Sequence, residues 1–333
     1  MSTATTPLRV LVANLPGPDT AKQVTGLLPA LDAHPNFRVT TVTGDGAADT
    51  AADLGATHLG EAGATRRAVD GHDLVVLSPG GPDWASTALA ALRADTAVLL
   101  DQPYGADPVD LARVAAQAAR TQVPCVPAYT RRHAPAVRAA RTALAAGRTG
   151  LPWNIQADLV IEDGGRPDGT GDGAPAWLRA AGEAVDSIHS LIGQPVAAVH
   201  ALATPGDGPG VLLLDHDHGI TSTIVAGTAP AAGAGVHRYR ISGSHGVLIT
   251  DAAKPGVLVR NAAGPHLTWD GPDAVTTLLD DLHAALLAGR PAGVGPADAL
   301  HTAQVLAAAR ASLAAGRPAP VDALPVHETE EPA

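Results

Sequence analysis

The first half of the chain alternates short, largely apolar runs with Ala- and Leu-rich stretches. The runs are Leu8–Ala13, Phe37–Val42, Leu74–Leu77, Ala97–Leu100 and Val123–Tyr129; Leu74–Leu77 ends in Ser78-Pro79-Gly80-Gly81 and Ala97–Leu100 in Asp101-Gln102-Pro103. The uninterrupted runs, Leu74–Leu77 and Ala97–Leu100 above all, predict strands buried on both faces, as in a parallel sheet. Between them, Ala21–His34, Ala47–Leu54, Ala64–Asp70, Ala85–Arg93 and Pro108–Arg120 predict helices, with Asp19 or Thr20 capping the first. Strand, helix and strand in this order define a doubly wound parallel sheet of the Rossmann type. Such sheets bind ligands beyond the carboxyl ends of their strands. Ser78–Trp84 and Asp101–Tyr104 are therefore expected on a ligand edge.

The pattern changes after Arg131–Gly150, itself a helix leading out of the first half. Trp153–Val160 opens a region of strands. Val196–Thr204, Gly210–Asp217, Thr221–Ala226, Val236–Ser242, Gly246–Asp251 and Gly256–Arg260 follow, separated by Gly/Pro turns. Neighbouring strands joined by turns predict a large, open, mainly antiparallel sheet. Three helices accompany it: Pro175–Ile192, Ala274–Ala288 and Pro296–Ala315. The fold class expected is thus α/β in two domains. Residues 1–126 form the Rossmann-type domain, 127–325 a substrate and dimerisation domain, and 326–333 a loose tail.

Composition narrows the function. At 333 residues the chain is long enough for two cores, and its mean hydropathy of +0.11 marks it as globular. A formal charge of −11 argues against nucleic acid or an anionic membrane as partner. The single Cys125 excludes an internal disulfide, and with no signal-like segment the cytoplasm is the expected compartment. In Asp215-His216-Asp217-His218, a continued strand would set both histidines on one face, which is half a metal site, so no metal is expected.

The order of several motifs resembles the Gfo/Idh/MocA oxidoreductase family. Asp101-Gln102-Pro103 stands where that family has Glu-Lys-Pro. Arg131–Gly150 resembles the segment joining its two domains, and Gly193-Gln194-Pro195-Val196, Ile241–Gly246 and Gly289-Arg290-Pro291 resemble motifs of its second half. The resemblance spans nearly the whole chain. It implies hydride transfer between NAD or NADP and a small hydroxylated or cyclic substrate, with a lysine, an aspartate and a histidine handling the proton. Aligned on Gly193, those three become Gln102, Arg179 and Glu183, and only Asp186 is retained.

Glu183 is then the candidate base, with Tyr104 as an alternative proton donor and His189 as a second base. Arg179 and Glu183, one turn apart, are also expected to pair on the helix surface. Cofactor contacts are expected from the turn after the first strand, Ala13, Asn14, Leu15 and Gly17, from Asp45 after the second, and from Ser78, Pro79 and Asp101. That first turn has one glycine and carries Pro16 and Pro18, which remove two backbone donors that would hold phosphate. Trp84 and Tyr129, just past strand ends, with Arg131 and Trp153, are candidates for substrate contact. Loss of the lysine leaves two other readings open: a non-redox cyclase, isomerase or lyase, or a non-catalytic binding subunit. An uncovered apolar face on the second sheet predicts a homodimer.

Overall fold

The computed structural model describes residues 6–13, 27–44, 47–60, 65, 68–79, 83–162, 175–204, 208–229, 235–251, 256–262, 264–269, 273–290 and 292–321. Two compact units result: Met1–Ala128 with Val275–Leu300 and Leu324–Ala333, and Tyr129–Ala274 with His301–Ala323. The first boundary falls two residues past the one expected. The first unit also takes back Val275–Leu300, a stretch that the sequence assigns to the second domain.

Unit one contains β1 (Leu8–Ala13), β2 (Phe37–Thr43), β3 (Thr57–Leu59), β4 (Leu74–Leu77), β5 (Ala97–Leu100) and β6 (Cys125–Pro127). They form one sheet in the order β3-β2-β1-β4-β5-β6, and every pairing is parallel. All four residues of β4 and of β5 are buried, which is why these runs carry no polar alternation. The short β3 carries no long apolar run, so the periodicity does not reveal it. The helix Ala274–Ala288 returns to this unit through side chains at the start of β2. The His283 ring meets Phe37 edge-on at 5.9 Å, and Asp280 lies 3.3 Å from His34 Nε2.

Unit two holds β7 (Pro152–Glu162), β8 (Val196–Ala203), β9 (Gly210–His216), β10 (Thr221–Ala229), β11 (Val236–Gly243), β12 (Gly246–Asp251), β13 (Gly256–Asn261), β14 (Gly264–Trp269) and β15 (Ala319–Pro320). Their order is β14-β13-β12-β11-β7-β10-β9-β8-β15, and only β7 and β10 run parallel. The sheet is mixed and mainly antiparallel, as the hairpin pattern predicts. Neither β14 nor β15 is apparent in the sequence, because Pro265 and Pro320 read as turn residues.

Two helices cover one face of this sheet. Pro135–Ala145 lies over β12, β13 and β14, and Ala176–Ile192 over β7, β9 and β10. The second of these positions the candidate site. It follows the extended Pro175 and ends at Gly193, whose φ of 66° no β-carbon opposes; Gly193 N donates to His189 O. At its start, a β-carbon added at Gly210 of β9 would come within 2.2 Å of the Trp177 indole, so glycine there allows the helix to settle on the strand.

Candidate functional site

In unit two, two consecutive arginines meet two carboxylates of the helix Ala176–Ile192. Arg131 and Arg132 lie in a short 3-10 turn, Thr130–His133, and the carboxylates lie one turn apart on the helix. Arg131 Nε donates to Glu183 Oε2 at 3.1 Å, with the arginine side chain 36% and the glutamate 14% exposed. Arg132 Nε donates to both Asp186 oxygens at 2.9 Å, and its Nη2 donates to Oδ1. That second pair is sealed, with side chains 8% and 1% exposed. Its guanidinium also lies 5.5 Å from the centre of the fully buried Tyr129 ring.

The two pairs differ in what they can do. Desolvation makes a buried pair costly to break but leaves it no access to a ligand. Glu183 keeps some solvent exposure and has one arginine across from it. Beneath them, β11 turns His237 and Tyr239 toward the helix side of the sheet. Burial raises the Tyr239 phenol well above its ordinary value, with the nearby Ser187 hydroxyl opposing. Among the described residues, neither the Tyr239 nor the Ser187 hydroxyl finds a partner at full hydrogen-bond geometry. Burial lowers the His237 imidazole, assisted by the Arg131 charge and opposed by Glu183 and Asp251.

Several expectations from sequence change here. Glu183 does not pair with Arg179. Arg131, brought in from outside the helix, engages the carboxylate, and Arg179 stays half-buried. Asp186, the residue retained from the family's pattern, pairs with Arg132 and is sealed from solvent. His189 belongs to another cluster near the helix end. Its Nδ1 donates to Gln194 O, and its ring lies tilted against His301, 4.7 Å between centroids. Tyr129 is 0% exposed, so in this conformation it supports Arg132 and offers no wall to a ligand. Trp153 is 58% exposed at the beginning of β7. His216 and His218 do not share a strand face, since β9 ends at His216 and His218 takes φ 64° in the following turn. His216 meets Ser222 Oγ at 2.7 Å, and among the described residues no three metal-ligating side chains converge.

In unit one, the carboxyl edge of the sheet carries Ala13, Ser78, Pro79 and Asp101 at the ends of β1, β4 and β5. Asn14, Leu15, Pro16, Gly17, Pro18 and Asp45 lie outside the described residues. Two non-glycine residues adopt left-handed backbone along this edge, Asp83 at φ 60° and Gln102 at φ 45°. Strain of about 1 kcal/mol or more at such positions concentrates at functional sites. Trp84 and Tyr104 are each 5% exposed and pack beneath these turns. The reversal of strand order falls between β1 and β4, the place where doubly wound sheets receive a dinucleotide.

Comparison with known proteins supplies the fold. No protein-family model and no curated protein matches the chain by sequence. Solved structures do match along nearly its whole length. An oxidoreductase domain protein from Kribbella flavida is 21% identical at a TM-score of 0.76, over 96% of this chain and 100% of that one. An oxidoreductase from Agrobacterium radiobacter in complex with NAD+, L-tartaric acid and magnesium is 18% identical at 0.77, over 95% and 99%. Scyllo-inositol dehydrogenase from Lactobacillus casei, with bound NAD(H) and scyllo-inositol, is 17% identical at 0.77, over 95% and 99%. The chain has the fold of the Gfo/Idh/MocA-type oxidoreductases, at a low identity consistent with a divergent member. The resemblance carried by its motifs is borne out at the level of the fold.

The buried imidazoles give the protein a defined response to acid. His72, His216 and His237 are all held below the ordinary value of 6.5, in each case chiefly by burial. Unfolding restores the ordinary value. Below about 6.5 the unfolded chain therefore binds more protons than the folded one, and stability rises with pH through that window. Thermal melts should show full stability above 6.5 and a falling midpoint as pH drops through the lowered values. A midpoint independent of pH across this range would contradict the desolvation of these three imidazoles, of which His216 and His237 are buried and His72 half-buried.

Proposed function

We propose that the protein is an NAD(P)-dependent oxidoreductase acting on a small hydroxylated or cyclic substrate, with Glu183 handling the proton. The observation that carries this is the pairing of Arg131 with Glu183 of the helix Ala176–Ile192, a largely buried but still accessible carboxylate where the resembled family keeps its proton-handling histidine. The Agrobacterium and Lactobacillus structures, with NAD and polyhydroxylated ligands bound, support the cofactor and the substrate class. When bound at the β1/β4 edge, the nicotinamide supplies the hydride acceptor. Ser78, Pro79 and Asp101 would line that place, together with Ala13, Asn14, Leu15, Gly17 and Asp45.

The chain's own residues divide the remaining work. The Glu183 carboxylate accepts the proton of a substrate hydroxyl as the carbon it sits on is oxidised. Arg131 orients that carboxylate, and Arg132 with Asp186 fixes the turn from which Arg131 projects. Gln102 can hydrogen-bond a substrate or cofactor oxygen but cannot take a proton at neutral pH. The same feature favours a second reading, in which the scaffold serves non-redox chemistry or binding alone. A homodimer through the open face of the second sheet belongs to the proposal.

The test is a panel of cyclic and linear polyols incubated with protein and NAD+ or NADP+, followed by the absorbance of the reduced nicotinamide. Substrate-dependent reduction is expected with at least one polyol. Cofactor binding without reduction of either cofactor across the panel would favour the second reading.

A further inference from the structure

We infer that the turn 193–196, which ends the helix carrying Glu183, is an acid-sensitive latch, and that His301 is the group that opens it. Imidazoles from three elements of unit two meet at this turn: His189 of the helix Ala176–Ile192, His216 of β9 and His301 of the helix Pro296–Ala315. His301 Nε2 accepts from Val196 N at 3.3 Å. His189 Nδ1 donates to Gln194 O at 3.2 Å, and the two rings lie 4.7 Å apart between centroids. Asp217 N donates to Pro195 O at 3.4 Å, and His216, beside the same turn, meets Ser222 Oγ.

The backbone partners fix which nitrogens carry protons, because an amide N–H only donates and a carbonyl only accepts. Val196 N requires a bare Nε2 on His301, and Gln194 O requires a proton on His189 Nδ1. The two rings therefore answer acid differently. His189 keeps its bond when protonated, since Nδ1 donates in either form. In the His301 imidazolium both nitrogens are donors, so Val196 N faces a second N–H and loses its acceptor. Charging both rings at their separation adds repulsion. His216 is 3% exposed, and burial holds its imidazole below the ordinary value, with the Gln194 and Pro195 carbonyls opposing. The other charged groups on these elements are Asp215 and Asp217, both exposed, and Asp298, which accepts from Gly295 N one turn before His301. Proton uptake at His301 thus accompanies opening of the turn, and opening grows easier as pH falls through the histidine range. The part released is the C-terminal end of the helix that bears Glu183 and Asp186, whatever reaction that helix serves.

The test needs no substrate. Isotope-labelled histidine nitrogens of the full chain are read by NMR near neutral pH, with His301 assigned through its backbone. The Nδ1–H tautomer of His301 is expected, and an Nε2–H ring would overturn the inference. Amide hydrogen exchange then follows Val196 as pH is lowered to about 5.5, across the histidine range. Protection of Val196, relative to amides further along β8, should fall about 3- to 10-fold as His301 becomes protonated, the loss of one hydrogen bond. Unchanged relative protection over a completed His301 titration would overturn the inference. His301→Gln keeps an acceptor oxygen and does not titrate, so its relative protection should be independent of pH. The wild-type pH dependence persisting in that variant would assign the effect to another group. If the variant does not fold, the two wild-type measurements decide.

Discussion

Asp186→Asn is expected to destabilise the protein by about 3–5 kcal/mol, the usual cost of breaking a buried pair from one side. The reason is geometric: Arg132 reaches Asp186 through Nε and Nη2, and the two side chains are 8% and 1% exposed. Without the carboxylate, a guanidinium is left buried against Tyr129 with its main counter-charge gone. Against a total stability of roughly 5–15 kcal/mol, that is a large share. Denaturant unfolding measures it. A double variant, Arg132→Leu with Asp186→Leu, should lose less than either partner removed alone, because it buries no charge. A loss below about 1 kcal/mol in Asp186→Asn would show that the pair carries little of the local structure.

The second large effect concerns rate. Glu183→Gln should leave the fold intact and lower kcat on the preferred polyol by roughly 10²–10⁴, the range for losing a general base. The amide is nearly isosteric and still accepts from Arg131 Nε, so KM should change little. A purely structural pair predicts the reverse. Glu183 is partly exposed and Arg131 more so, and losing such a pair costs about 1 kcal/mol or less. Full turnover in a folded Gln variant, with only that small loss of stability, would take Glu183 out of the mechanism. Tyr104, 5% exposed beneath the edge of unit one, would then be the proton donor to examine.

Much of the fold was legible in the sequence because its signals are local. Uninterrupted apolar runs such as Leu74–Leu77 predict strands buried on both faces, and both the run and the burial are found. Glycine and proline punctuation located the helix Ala176–Ile192 to within a residue, since Gly193 supplies the left-handed cap that ends it. Return packing was not legible. Nothing near Phe37 announces that His283 will meet its ring, so the sequence assigns the helix Ala274–Ala288 to the wrong half. The candidate site shows the same division. Glu183 and Asp186 stand out through helical spacing and motif position, but their partners lie about fifty residues away. Helical spacing therefore suggested Arg179 where the fold supplies Arg131.

The central claim is that the edge of the first sheet receives a nicotinamide dinucleotide despite Pro16 and Pro18 in its first turn. Calorimetric titration of the purified full-length chain with NAD+, NADH, NADP+ and NADPH tests it most directly, with thermal melts as a second readout. Saturable binding of at least one pair is expected, together with a midpoint that rises with ligand as RT ln(1 + [L]/Kd) requires. No heat and no shift with any of the four at millimolar concentration would contradict the redox account.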